Sequence, residues 1–284
     1  MLEAGLGSAV ARMSTVHGGD VAEAYRCELA DGRTVFAKTH RRAPAGFFTT
    51  EASGLRWLAE ADATAVPEVL LVGDGDEALG APNHLVLGWI DEGRQGARTE
   101  VELGRSIARL HAAGAPCFGR EDRRTTGSRG LPNEPCPTWA EFYATQRLLP
   151  LARLAREERA LPDGTVAALE RLAGRLDLVG GAPEPAARLH GDLWAGNRLV
   201  DRDGRSWLID PAAHGGHREF DLAMMRLFGG FGPDCFAAYD EVGPLADGWR
   251  DRVALHQVAP LVVHAIKFRG SYVAAATAAI EAYA

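Results

Sequence analysis

Three polar side chains near residue 200 have the types and spacing of one general base and two metal ligands. Asp192 has a carboxylate that can accept a proton from a substrate hydroxyl. Asn197, five positions later, has an amide oxygen, and Asp210 has a second carboxylate. Oxygen ligands of these kinds suit Mg²⁺. The three residues together predict chemistry at a hydroxyl group beside a bound metal ion.

Two short apolar segments must position these side chains. Residues 198–200 directly follow Asn197, and residues 206–209 directly precede Asp210. Segments of this length, separated by a polar turn, predict two paired strands. The hairpin would therefore carry one metal ligand at its start and the other just beyond its end.

The ordered run His190-Gly191-Asp192, then Asn197, then Asp210 resembles the catalytic loop of protein kinases. It has Gly191 where that loop has Arg, and Pro211 where the metal-binding Asp is followed by Phe. These differences are typical of the small-molecule branch of the kinase-like fold, which includes aminoglycoside and choline kinases. The longer segments HGDLWAGN and IDPAAHGGHREFDLAM are similar to those of the fructosamine (ketosamine) 3-kinase family.

This resemblance covers nearly the whole chain, and it implies a two-lobed, protein-kinase-like α+β fold. The N-terminal lobe would be an antiparallel sheet with one helix, and the larger, mainly helical C-terminal lobe would contain the catalytic hairpin. The implied reaction is ATP- and Mg²⁺-dependent phosphorylation of the 3-hydroxyl of a ketosamine, such as fructosamine or ribulosamine, on an amino acid or a protein lysine.

The resemblance also implies roles for residues around the loop. His190 would prop the loop from the core, and Asp221 would bond the loop's backbone. Acceptor binding is implied for four residues, Trp194, His217, Arg218 and Glu219. The last three also fit a polar helix start, and this alternative stays open.

The N-terminal part reads as strands over residues 8–17, 22–29 and 34–38. Gly18 and Gly19 lie in the turn between the first two strands, where backbone N–H groups can approach phosphates. Lys38 ends the third strand, and Glu51 lies early in a helix predicted over 47–60. A Lys and a Glu in this order predict the kinase ion pair that holds the α- and β-phosphates.

Further strands are predicted over 66–71 and 84–87, followed by Gly88, Trp89 and Ile90. The resemblance implies that the backbone of these three residues binds the adenine edge. Gly88 stands where family members usually have an acid, and Asp20 stands where Ser or Cys is more common. The predicted organisation is a nucleotide lobe over 1–90, a linker over 91–98 and a catalytic lobe over 99–284.

Capping boxes predict two helix starts in the C-terminal part, one at Thr99 with Glu102 and one at Thr138 with Glu141. The first helix would run to residue 113 and the second to about residue 159. His111 is interpreted as a helix-end charge or a core contact. Further helices are predicted over 162–178 and near 234–240, 249–269 and 272–283.

The composition narrows the class of protein. The formal net charge is −7 over 284 residues, which argues against a nucleic-acid partner. The four cysteines form no CxxC pair, which suits a reducing cytoplasm. No apolar run approaches the roughly 20 residues of a membrane span. We expect a cytoplasmic monomer or weak dimer, and no disulfide-linked strand exchange through Cys27.

Three alternatives remain at this stage. A kinase for aminoglycosides, choline or another hydroxyl compound would share every catalytic residue. A metal hydrolase could use five acidic and histidine residues: His190, Asp192, Asp210, His214 and His217. A nucleotide-binding pseudokinase would bind ATP without transfer to an acceptor.

Overall fold

A computed structural model describes residues 2–16, 22–41, 43–44, 46–75, 82–123, 125–126 and 130–284. The chain divides into two compact units. The first contains Met1–Thr99 and Arg198–Pro211, and the second contains Glu100–Asn197 and Ala212–Ala284. The lobe boundaries predicted from the sequence stay a proposal about domain organisation. None of the helices in the described ranges is both long and apolar enough to cross a membrane.

The first unit contains the strands β1 Val10–Val16, β2 Glu23–Leu29, β3 Thr34–His40, β4 Val69–Gly73 and β5 Asn83–Gly88, and the helices α1 Leu2–Leu6 and α2 Phe47–Ala59. The five strands form one antiparallel sheet with the order β1-β2-β3-β5-β4. The strand predicted over 66–71 begins later, at Val69, because Pro67 has no N–H for a strand ladder. Ala65 instead accepts a hydrogen bond from the Leu208 N–H, at 2.9 Å.

The helix α2 carries Glu51 beside the sheet because of its apolar spacing. Phe48, Ala52, Leu55 and Leu58 recur at helical intervals, and each is fully buried. The first three pack against β5 in one apolar cluster. Burying each large apolar side chain contributes about 1.5–3 kcal/mol. Glu51, one position before Ala52, is thereby held on the helix face next to β3.

A hairpin of β9 Arg198–Val200 and β10 Ser206–Leu208 also belongs to the first unit, with Trp207 paired to Leu199. Asp201 stabilises its turn. The Asp201 carboxylate accepts the N–H groups of Asp203 at 3.0 Å and Arg205 at 2.9 Å, and the indole N–H of Trp207 at 2.7 Å. The predicted hairpin is therefore present, and its second strand leads directly to Asp210.

The second unit is mainly helical. Its helices are α3 Thr99–Ala112, α4 Trp139–Tyr143, α5 Leu149–Glu157, α6 Asp163–Ala173, α7 Leu176–Val179, α8 Glu219–Leu227, α9 Pro233–Val242, α10 Val253–Phe268 and α11 Ser271–Glu281. The first residue of α3, Thr99, is the last residue of the first unit's N-terminal segment. Its short strands are β6 Thr125–Thr126, β7 Leu131–Pro132, β8 Ala187–Leu189 and β11 His214–Gly216. One large apolar core joins α4, α5, α6, α10 and α11.

Three helix predictions need correction, and two of them concern the segments opened by the capping boxes. The capping box at Thr99 is wrong, because the Thr99 hydroxyl accepts the Gly96 N–H at 2.9 Å and donates to the Gly204 carbonyl at 2.7 Å. The single helix predicted to residue 159 contains a π-helical turn over Ala144–Leu148. Pro150 follows this turn, and a proline cannot donate to the helix ladder. The cap at Thr138 is present, since its hydroxyl accepts the Glu141 N–H at 3.2 Å.

The helix predicted over 162–178 is also shorter than expected. It ends at Ala173 and is followed by Gly174. A separate short helix, α7, then covers Leu176–Val179. Glycine has a low helix propensity, which favours the end of the helix at this point.

Candidate active site

The candidate catalytic loop leaves β8 in the second unit. Leu189, the last residue of β8, pairs with His214 of the antiparallel strand β11. Gly191 has a φ of +80°, and a Cβ at this position would lie 2.1 Å from the Ala212 carbonyl oxygen. Only glycine fits both the conformation and the space. Gly191 therefore lets the chain turn sharply just before Asp192.

The buried carboxylate of Asp221 holds the backbone at the start of this loop. It accepts the N–H of His190 at 2.8 Å and the N–H of Gly191 at 2.9 Å. His190 is fully buried, and its Nδ1 accepts the N–H of Asp192 at 3.3 Å. The contacts expected of His190 and Asp221 are thus present. Their effect on catalysis stays a prediction.

Two further residues, which the sequence did not single out for this role, support Asp221. His111 of α3 places Nε2 3.2 Å from Asp221 Oδ2, and its Nδ1 lies 2.8 Å from the Tyr239 hydroxyl. Burial opposes ionisation of Asp221, but the hydrogen bonds from His111 and the loop N–H groups keep its pKa below the usual range. No spacing rule links positions 111, 221 and 239, so only the packing of α3, α8 and α9 reveals the group.

Asp192 and Asn197 contact each other within the loop. The Asn197 Nδ2 donates to the Asp192 carbonyl oxygen at 2.9 Å and to Asp192 Oδ2 at 3.1 Å. Because both partners are acceptors, the NH₂ side of the amide must face Asp192. The other side of the amide is an oxygen, which is the kind of ligand that Mg²⁺ prefers.

In the first unit, Lys38 contacts both Glu51 and Asp210. Its Nζ lies 2.9 Å from Glu51 Oε1 and also donates to Asp210 Oδ1. The predicted Lys38–Glu51 ion pair is therefore present, whereas the contact with Asp210 was not predicted. Burial raises the pKa of Glu51 to about 7 against the attraction of Lys38. Burial also opposes the charge on Lys38, but the two carboxylates outweigh it and raise the pKa of Lys38.

Asp210 lies two residues beyond β10 with a φ of +53°. This left-handed conformation is uncommon outside glycine and costs conformational energy. Its side chain remains 41% exposed despite the contact with Lys38. A strained residue with a partly exposed carboxylate is consistent with the predicted metal ligand. A carboxylate is also the correct ligand chemistry for Mg²⁺.

Gly88, Trp89 and Ile90, which precede the predicted linker, border an open groove of about 490 Å³ in the first unit. The Gly88 N–H already donates to the Glu68 carbonyl oxygen at 2.9 Å. The Gly88 N–H is therefore engaged within the fold, and contact between the Gly88 carbonyl and the adenine edge stays a prediction. The turn residues Gly18, Gly19 and Asp20 lie outside the described residues.

Three of the four residues assigned to the acceptor pocket are engaged inside the second unit. Arg218 donates from Nε and Nη2 to the carboxylate of Glu184, at 2.7 and 2.8 Å. His217 and Glu219 are 3% and 2% exposed. This arrangement favours the alternative of a buried polar helix start, while the acceptor role stays untested. Trp194 is different, because its ring is 39% exposed.

One group of possible metal ligands occurs within the described ranges, formed by His217, Glu219 and His256, with ligand atoms within 4.8 Å of one another. Arg252 donates to both oxygens of Glu219, at 2.9 and 2.5 Å. Because Arg252 already balances this carboxylate, a divalent cation would leave a net positive charge buried there. We therefore assign the group a structural role, and it does not support the metal-hydrolase alternative.

Acidification is expected to destabilise the protein partly through His214. Burial and the charge of Arg147 together lower the pKa of His214 to about 3, against a hydrogen bond to the Ala212 carbonyl oxygen. In the unfolded chain this imidazole binds a proton near pH 6.5. The free energy of unfolding that neutral His214 contributes is therefore fully present above pH 6.5 and is lost as the pH falls toward 3. Between pH 7 and pH 5 the expected loss is about 2 kcal/mol.

Urea unfolding of the wild type and His214→Gln at several pH values between 5 and 7 checks this expectation. The variant should lose less free energy of unfolding on acidification, whatever its stability at pH 7. Equal losses in the two proteins would contradict the assignment.

The family model described as fructosamine kinase matches residues 2–284 of this chain. A protein named probable ketoamine kinase from Enterococcus faecium is 34% identical over 261 residues, which is 90% of this chain and 90% of that protein. This chain is 40% identical in sequence to a protein from Thermobifida fusca that is assigned as a fructosamine-3-kinase and has a crystal structure. The two structures superpose with a TM-score of 0.89, and the match covers 98% of this chain and 95% of the Thermobifida fusca chain.

More distant structures define the fold. A type I macrolide 2'-phosphotransferase matches with a TM-score of 0.62 and 19% identity, over 98% of this chain and 94% of that chain. At this identity the similarity concerns the fold alone. It confirms the predicted kinase-like α+β fold, with an N-terminal antiparallel sheet and a mainly helical C-terminal part.

Proposed function

The chain belongs to the fructosamine kinase family, and from this premise we propose that it transfers the γ-phosphoryl group of ATP to the 3-hydroxyl of a ketosamine. The acceptor would be a fructosamine or ribulosamine carried by an amino acid or by a protein lysine. The family is one of phosphotransferases that act on a hydroxyl, which agrees with the pairing of a base and two oxygen ligands in the sequence.

The catalytic loop is the observation that carries this proposal. Asp221 holds the loop backbone through two N–H groups, and Asn197 holds the Asp192 carboxylate through its amide. A base held in this way keeps its orientation without help from the substrate. Phosphoryl transfer depends mainly on positioning and on charge neutralisation, so a fixed base is what the reaction requires.

Asp192 would accept a hydrogen bond from the acceptor hydroxyl and take its proton as the new P–O bond forms. Asp192 Oδ2 accepts an N–H of Asn197 at 3.1 Å, which would fix the orientation of the carboxylate for this task. A positioned general base of this kind contributes about 10²–10⁴ in rate.

Lys38 and Glu51 would act on the nucleotide side. When bound, MgATP supplies the phosphoryl group, and the metal neutralises charge on it. Lys38 would bind the α- and β-phosphate oxygens, and Glu51 would keep Lys38 in place. The backbone at Gly18 and Gly19 and at residues 88–90 would complete nucleotide binding.

Asn197 and Asp210 would hold Mg²⁺ through an amide oxygen and a carboxylate. Lys38 contacts Asp210 directly, so Mg²⁺ and the Lys38 ammonium group would compete for this carboxylate. Two such ligands suit Mg²⁺, which usually keeps waters and phosphate oxygens in the rest of its shell.

The cellular context of the enzyme is also part of the proposal. Cys27 is 1% exposed in the core of the first unit, which supports the prediction that no disulfide links two chains there. A cytoplasmic monomer or weak dimer remains the expected state.

Coupled-assay ATP turnover tests the function, with Mg²⁺ and a panel of fructose-lysine, ribulose-lysine, an aminoglycoside and choline. Turnover on a ketosamine in preference to the other acceptors is the expected result. Turnover on an aminoglycoside or choline alone would keep the kinase and reject the ketosamine. Binding of ATP without turnover on any acceptor would instead indicate a pseudokinase.

A further inference from the structure

Five aromatic rings follow one another from the catalytic loop across the second unit. We call this set the aromatic row: Trp194, Phe228, His264, Phe268 and Tyr272. Ring centroids lie 5.9 Å apart for Trp194–Phe228, 5.1 Å for Phe228–His264 and 5.5 Å for His264–Phe268. Tyr272 lies 5.0 Å from His264 and 6.0 Å from Phe268. The row begins two positions after the proposed base.

The row contains much of the exposed large apolar surface among the described residues. Among all the described residues, seven large hydrophobic side chains are exposed, and three of these seven belong to the row. Trp194 is 39% exposed, Phe228 36% and Phe268 52%. Single exposed apolar residues need no explanation, but a contiguous group marks a binding surface. The other four exposed residues have no place in this chain of ring contacts.

Two glycines make room for Trp194 and the residue that follows it, Ala195. A Cβ on Gly196 would lie 2.2 Å from the indole ring of Trp194, and a Cβ on Gly230 would lie 2.4 Å from the Cβ of Ala195. Gly230 also has a φ of +88°. Gly196 therefore leaves space for the Trp194 ring, and Gly230 leaves space for Ala195 beside it.

His264 joins the outer rings as a neutral aromatic group. Its Nδ1 lies 2.7 Å from the Pro260 carbonyl oxygen, which orients the ring along α10. Burial and the nearby charge of Lys267 lower the pKa of His264, against that hydrogen bond. The His264 ring is therefore uncharged at neutral pH, and it adds an aromatic face rather than a cation to the row.

Aromatic faces of this kind suit an alkyl chain that carries a positive charge. They bury methylene groups, and their negative π-faces attract ammonium ions. A ketosamine on the side chain of lysine has both features, because a charged secondary amine is followed by four methylenes. A ketosamine on an α-amino group instead places a carboxylate next to the amine, and the π-faces repel this anion.

We propose that the aromatic row is the subsite for the amine side of the acceptor and that it selects an alkylammonium chain, as in lysine glycated on its side chain. This inference rests on the proposed function, since the sugar end of the same acceptor would lie at Asp192. It adds Phe228, His264, Phe268 and Tyr272 to Trp194 as specificity-determining residues.

A series of acceptors that differ only in chain length tests the inference. The acceptors are 1-deoxy-fructoses with a methylamino, propylamino or pentylamino group at C1. A fully buried methylene is worth about 0.8 kcal/mol, or about fourfold in kcat/KM. Because the row is partly exposed, we expect the wild-type kcat/KM to be only about tenfold higher for the pentyl than for the methyl acceptor.

The variants Phe228→Ala and Phe268→Ala should lower this pentyl-to-methyl ratio to about twofold or less. Leu178→Ala is the matched control, because Leu178 is 78% exposed in the same unit and lies outside the row. It should keep the wild-type ratio. The ratio is taken within each protein, so a general loss of stability in a variant does not affect it.

Calorimetric binding of the same acceptors without ATP separates the two proposals. If the methyl acceptor is phosphorylated but chain length has no effect, or the effect survives both Phe variants, the row is rejected and the kinase stands. If no acceptor is phosphorylated but longer chains bind more tightly through the two Phe residues, the row stands and the kinase is rejected. Neither binding nor turnover would reject both.

Discussion

Replacing Asp192 with Asn is expected to lower kcat by about 10²–10⁴ while leaving the thermal unfolding transition nearly unchanged. Asn has the shape of Asp but cannot take the proton of the acceptor hydroxyl. The substituted side chain can still accept the hydrogen bond that Asn197 donates to this position at 3.1 Å. The loop should therefore keep its conformation, and the loss should concern chemistry alone.

Steady-state kinetics with MgATP and a ketosamine, together with a melting curve, measures both effects. Asp203→Asn is the matched control, because Asp203 is an exposed residue in the turn between β9 and β10. The control should keep wild-type kcat. A decrease of less than about tenfold in Asp192→Asn, with a normal melting curve, would remove Asp192 as the base.

Replacing Asp221 with Asn is expected to lower the free energy of unfolding by about 3–5 kcal/mol. The Asp221 side chain is fully buried and accepts three N–H groups, from His190, Gly191 and His111. An Asn side chain has only one acceptor oxygen, so its NH₂ group would face at least one N–H donor. Buried donors without acceptors are costly.

Thermal and urea unfolding measure this loss, which corresponds to a decrease in Tm of roughly 6–20 °C. Asp177→Asn is the control, because Asp177 is an exposed acid in the short helix α7 of the same unit. Asp221→Asn should lower both stability and kcat, whereas Asp192→Asn should lower kcat alone. Wild-type stability in Asp221→Asn would show that the carboxylate does not support the loop.

Sequence spacing was enough to predict the local parts of this protein. The run from His190 to Asn197, the hairpin before Asp210 and the apolar stripe of α2 all depend on neighbours within a few positions. Such features follow from backbone geometry, because a period of two predicts a strand and a period near 3.6 predicts a helix. The order of Lys38 and Glu51 was also enough to predict their ion pair.

Contacts between distant positions depended on the packing of the folded chain. Lys38 contacts Asp210 because β3 and the end of the hairpin lie in one unit. His111 supports Asp221 because α3 packs beside α8 and α9.

The same distinction explains the residues around the acceptor. Arg218 was assigned to the acceptor from its motif, but its guanidinium is engaged by Glu184, 34 positions earlier. Phe228 and Phe268 were not assigned at all, and they form one surface with Trp194 only because α8 and α10 bring their rings together. Local spacing specifies which groups are available for chemistry, whereas tertiary packing decides which of them are buried as support and which remain exposed to bind.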